Sequence, residues 1–288
     1  DDNTSYSKLV TELKAKGFNP EAHNLLLSAL PADTAVLVLA SPDRELLEGE
    51  IDHIKTYIND GGNLLWMMDP GEMQGTDELA SLLGIRFHPG MIVDNNTNLR
   101  NPLRIQHPAM VPVLDYVAHP VTEDIQYNTL FPISRGIEQV DKQFNGSAIA
   151  LSLAQSWSET SAVSEDIVFE PDNGDIEGPI GIVVALERNI DKLNDPDTTT
   201  QRVIISGDSD FLANNYIGVG ANLSLGLNIF NWLAGDDVLI AIEPRSATDT
   251  QLQLDDTEIL LISIGYFIVL PAGLILAGVV IWLRRRNR

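Results

Sequence analysis

Ala35-Val36-Leu37-Val38-Leu39-Ala40 and Asn63-Leu64-Leu65-Trp66-Met67-Met68 are the two stretches on which the fold turns. Continuous apolar runs of this length, bounded by turn residues, read as strands buried on both faces, as in parallel sheets. Between them Leu47, Ile51, Ile54 and Ile58 recur at helical spacing, and Gly61-Gly62 stops the helix. Ser41-Pro42-Asp43 reads as N-cap, first-turn proline and first-turn acid of that helix. After the second run, Asp69-Pro70-Gly71 makes a turn and Asp77 to Leu83 a short helix closed by Gly84. Upstream, Tyr6, Leu9, Val10 and Leu13 give one more apolar helical face, with Gly17 as its C-cap. Strand, helix and strand joined by short loops predict a wound, mainly parallel α/β sheet.

Beyond residue 85 the pattern loosens. Pro89-Gly90, Asn101-Pro102, His107-Pro108, His119-Pro120 and Pro171 through Gly174 break the chain into short extended pieces such as Thr129 to Ser134 and Ser147 to Leu151. Residues 86–200 therefore read as an irregular insertion or β-rich subdomain, with Asp191 to Thr200 as a polar loop. Regular structure resumes in the strands Ile180 to Leu186 and Val203 to Ser206, the helix Asn222 to Ala234 and a last strand Val238 to Ile242. The expected division is an α/β domain over 1–242, a linker over 243–258 and a membrane segment over 259–283.

That segment, Ile259 to Leu283, carries no charge and would span roughly 37 Å as a helix, more than a ~30 Å hydrocarbon core. Trp282 marks one interface, and Arg284, Arg285, Arg286 and Arg288 follow in a basic tail over 284–288. The expectation is one C-terminal span in a bacterial cytoplasmic membrane, with the tail inside and the bulk of the chain periplasmic or extracellular. Translocating such a domain calls for a signal or membrane segment upstream of Asp1. The formal net charge is −23, and the part preceding the arginines is more acidic still. Such a surface repels nucleic acid. The absence of cysteine excludes disulfides, thiolate metal sites and a Cys nucleophile.

If the strands are parallel, Ser41, Asp69 and Asp208 lie just past strand C-termini, with Asp210 close by, on the edge where wound sheets bind ligands. Converging carboxylates there can hold a divalent cation or act as acid and base. The same residue types also cap helices and close Asx turns, a purely structural use. No GxGxxG, Walker lysine, GxSxG or HExxH pattern occurs, so nothing calls for a cofactor or a histidine-held metal. His88 reads as a surface or loop residue. Trp66 and Trp232 read as packing residues, and Trp157, in Ser-Trp-Ser-Glu-Thr, as an exposed one.

Two blocks resemble a known family. The first runs through Tyr6-Ser7-Lys8-Leu9, Leu30 to Ala40, Tyr57-Ile58, Gly61 to Leu65 and Asp69-Pro70. The second is Arg202-Val203-Ile204-Ile205-Ser206-Gly207-Asp208-Ser209-Asp210-Phe211, Asn222, Asn228 and Asn231-Trp232-Leu233-Ala234-Gly235-Asp236. Both are similar to the auxiliary component of GldG-type ABC transporters, known from gliding-motility systems and found widely without gliding. The resemblance implies a non-enzymatic extracytoplasmic domain partnered by an ABC permease and ATPase. It also implies a flavodoxin-like or class I amidotransferase-like shape, related to the N-terminal domain of an intraflagellar-transport protein. Amidotransferase activity needs a nucleophilic Cys, which this chain lacks. Two rivals stay open: a metal-dependent hydrolase using Asp69, Asp208 and Asp210, and a cell-envelope glycan-binding module.

Overall fold

Strands β1 (Val36–Ala40) and β2 (Asn63–Met67) form on the two quoted runs, joined by helix α2 (Glu48–Asn59). They pair in parallel, from Val36 opposite Asn63 to Ala40 opposite Met67. The computed structural model that shows this describes residues 3–96, 100, 105, 107–161, 167–190 and 199–235, together with Pro271 and Trp282. The chain divides into two units, Asp1–Glu243 and Pro244–Arg288, and every described residue but those last two lies in the first.

On the far side of β2 lies β12 (Thr199–Ser206), also parallel. From there the sheet reverses. Strand β11 (Gly181–Ile190) is antiparallel to β12, β7 (Ile137–Gln139) and β8 (Asn145–Leu151) are antiparallel to β11, and β3 (Ile85–Phe87) is antiparallel to β7. The result is a mixed seven-stranded sheet with four α-helices among the described residues. This corrects the expected wound parallel sheet of flavodoxin or amidotransferase type. Apolar runs report burial but not direction: β11 and β12 follow one another in sequence and pair directly, and such neighbours run antiparallel without needing a crossover helix. Residues 86–200 supply β7, β8 and β11 to this sheet. The rest of that region forms a three-stranded sheet of β4 (Met91–Val93), β9 (Trp157–Glu159) and β10 (Ile176–Glu177), and a pair, β5 (Met110–Val113) with β6 (Thr129–Pro132).

The period of two along the central strands sorts their side chains to two faces. Leu64, Trp66, Val203 and Ile205 meet Ile54 and Ile58 of α2 and Leu83 of α3 (Asp77–Leu83). Leu65, Met67 and Ile204 meet Leu9 and Leu13 of α1 (Ser7–Ala15) and Leu225 and Ile229 of α4 (Asn222–Leu233). Each such side chain contributes about 1.5–3 kcal/mol by leaving water. Strand β1 sits at the end of the sheet and is less buried than its composition suggests, with Val38 exposed.

Three further expectations change. Trp157 is buried, its indole N–H donating to Glu159 Oε2 at 2.9 Å, so the polar sequence around it marks a satisfied interior position. Helix α2 starts at Glu48, not at Pro42, because Ser41 is held in the turn after β1. Among the described residues no helix is long and apolar enough to cross a membrane, and this corrects the single C-terminal span and the membrane location built on it. The stretch 259–283, apart from Pro271 and Trp282, lies outside the described residues, as do Arg284, Arg285, Arg286 and Arg288 and the expected strand 238–242.

Candidate functional site

The three parallel strands end side by side, and the turns beyond them bring Ser41, Asp69, Asp208 and Asp210 into one cluster. Ser41 follows β1, with its N–H donating to Met67 O at 2.9 Å and its Oγ accepting from Asp69 N–H at 3.3 Å. Its φ of 30° lies in the left-handed region, a conformation that costs a non-glycine residue roughly 1–3 kcal/mol and needs such contacts to hold it. Asp69 reaches across to the turn after β12: Ser209 donates its N–H to Oδ1 at 2.6 Å and its hydroxyl to Oδ2 at 2.7 Å.

Asp208 is fully buried and closes an Asx turn, Oδ1 accepting from Asp210 N–H at 3.0 Å and Oδ2 from Phe211 N–H at 3.2 Å. Those two amides open the short 3₁₀ turn Asp210–Leu212. Burial, then the nearby Asp69 and Asp210 carboxylates, push the Asp208 carboxyl well above its ordinary value, and outweigh the two amides that favour its charge. Asp210 is half-buried and is raised as well, by burial and then by Asp69. Tyr6 leans over the cluster with its hydroxyl on Ser209 O at 3.4 Å, and burial pushes its pKa up to about 12.

One residue that the sequence reading passed over, Arg135, supports the cluster from below. Its side chain is buried, donating through Nη1 to Asp69 O and Gly71 O and through Nη2 to His88 O, all at 3.3 Å, with its guanidinium 4.9 Å from the Phe87 ring centre. The signal was present as a lone cation inside the apolar stretch Thr129 to Ile137 of a strongly acidic chain. Gly207 allows this contact. Arg135 N–H donates to Gly207 O at 2.7 Å, and a Cβ on Gly207 would collide with the Arg135 carbonyl.

Chemically, the arrangement is a braced turn. Both oxygens of Asp69 and both of Asp208 already accept hydrogen bonds from the chain, which leaves the Asp210 carboxylate as the acceptor free of such duties among the described residues. Among the described residues no group of three or more His, Cys, Asp or Glu side chains is disposed to hold a metal ion.

A family model described as an ABC-type uncharacterized transport system matches residues 2–242, a span that includes the whole cluster. The chain belongs to this family of ABC transport auxiliary proteins. This ABC transport auxiliary protein matches no curated sequence. Among solved structures it is similar to one titled "mmIFT52 N-terminal domain", at 15% identity, covering 81% of this chain and 92% of that one with a TM-score of 0.57. At that identity the likeness concerns the fold. It agrees with the intraflagellar-transport half of the shape implied by the sequence resemblance, while the mixed sheet departs from the amidotransferase half.

Proposed function

We propose that this auxiliary protein is a non-enzymatic binding subunit of its transport system, associated with the permease and ATPase, and that the strand-end cluster of Ser41, Asp69, Asp208 and Asp210 belongs to its partner- or ligand-binding surface. The observation that carries the reading is the way the aspartates are used. Asp69 and Asp208 spend their oxygens on fixing two loops, so they build a rigid edge whose carboxylates are committed to the chain's own donors. Asp210 stands on that edge as an acceptor for a partner's donor. Family membership supports the association with an ABC transport system.

The test is co-expression with the permease and ATPase of the same system, mild crosslinking and affinity recovery. The expected result is co-recovery of both subunits with the wild-type chain and weaker recovery with Asp210→Arg, whose fold is checked by its unfolding curve. Recovery of the chain alone would overturn the reading of its partners, and undiminished recovery with Asp210→Arg would overturn the assignment of the surface.

A further inference from the structure

A second surface lies one arginine away from the cluster. A cleft of about 580 Å³ opens between β3, β7 and the β10–β11 connection, within the ~300–1,000 Å³ range of ligand-sized sites. Phe87, Ile137, Ile176 and Ile180 give it an apolar lining, and Glu138, Glu177, Arg86 and His88 supply its polar groups. Arg86 spends Nη2 on Glu138 Oε2 at 2.6 Å, and the His88 Nε2 lies 3.7 Å from the same oxygen. Burial lowers the His88 pKa, opposed by Glu138, so the ring adds no fixed positive charge at neutral pH. Among the described residues Glu177, which is exposed, has no ion pair, and Glu138 Oε1 has no partner. The cleft thus pairs an apolar lining with two carboxylates and one already engaged cation, on a chain whose net charge is −23.

We propose that this cleft receives a basic, apolar peptide segment of a partner protein, an aliphatic side chain seated against Phe87, Ile137 and Ile176 and a flanking Lys or Arg placed on Glu177 and Glu138. Charge complementarity selects this occupant: an acidic segment would meet both carboxylates and the repulsive field of the whole chain, whereas a basic one is drawn in by both. The reading rests on the binding role proposed above but on different residues. Arg135 connects the two surfaces, since its Nη2 holds the carbonyl of His88 at the cleft and its Nη1 that of Asp69 at the cluster.

The probe is the synthetic peptide acetyl-Lys-Leu-Leu-Arg-Lys-amide titrated into the full chain, with the His88 ring followed by NMR. The five histidines of the chain keep that spectrum simple. The expected result is saturable one-to-one binding that moves the His88 resonances, weakens with added salt, and falls roughly fivefold or more in Glu177→Lys. Acetyl-Glu-Leu-Leu-Glu-Glu-amide serves as the control. Because Glu177 is exposed, its replacement leaves the fold intact, and Glu138→Gln provides a second reading at a milder change. Absence of saturable binding, equal binding of the acidic peptide, or unchanged affinity in Glu177→Lys would each overturn the proposal. The co-recovery test at Asp210 is unaffected by those outcomes, so the two readings fail separately.

Discussion

Asp208 is the residue whose chemistry is most tightly set by its place. Its carboxyl has no exposure to water and two neighbouring carboxylates. The folded chain therefore holds its proton more firmly than the unfolded chain, and the stability this group contributes is full below its ordinary 3.8 and lost as pH rises through the raised folded value. Asp208→Asn keeps the shape and cannot titrate. The urea midpoint of the variant should therefore rise relative to wild type as pH rises from acid; a difference that stays constant with pH would refute the assignment. The convergence of Ser41, Asp69, Asp208 and Asp210 was legible in the sequence, because each follows a strand that could be read as parallel. Which of them is free was not legible, because Ser209 and the amides of Asp210 and Phe211 engage the carboxylates through contacts that composition does not encode.

At the scale of elements, Arg135 and Gly207 join the β12 turn to the segment leading into β7. Arg135→Met would strip three carbonyls of a donor and should cost about 3 kcal/mol in denaturant unfolding. Arg135→Lys should recover only part of that, because one ammonium on a flexible stem does not reproduce a guanidinium that bonds on two sides. Gly207→Ala forces a Cβ onto the Arg135 backbone and should cost about 1–3 kcal/mol. A Gly207→Ala protein as stable as wild type would show that this contact gives way easily. The same elements show where sequence reading stops. The unit β1–α2–β2, helix α3 with its left-handed Gly84, and helix α4 follow local periodicity, and all three were readable apart from the start of α2, where Leu47 and not Ser41 is the N-cap. The antiparallel half was readable only as strands: Ser147 to Leu151 and Ile180 to Leu186 form β8 and β11, but their antiparallel pairing was not foreseen. Strands β7 and β8 find β11 across 30 or more residues of chain, so their pairing is decided by tertiary packing.

For the whole molecule the governing quantity is the excess of acid, 41 Asp and Glu against 18 Lys and Arg. Self-repulsion of this size opposes the folded state, and salt relieves it by screening over roughly 10 Å at 0.1 M. Added sodium chloride at neutral pH should therefore raise the unfolding midpoint. Acidification from neutrality towards the ordinary carboxylate range should raise it too, but for a different reason, since the buried carboxyl of Asp208 takes up its proton before exposed carboxylates do. Salt screens the surface and hardly reaches a group sealed from water. Asp208→Asn should thus flatten the response to pH while leaving the response to salt intact, as measured by denaturant titration across a grid of both. If the variant lost both responses together, the pH effect would belong to the surface charge and the buried carboxyl would have no separate part in it.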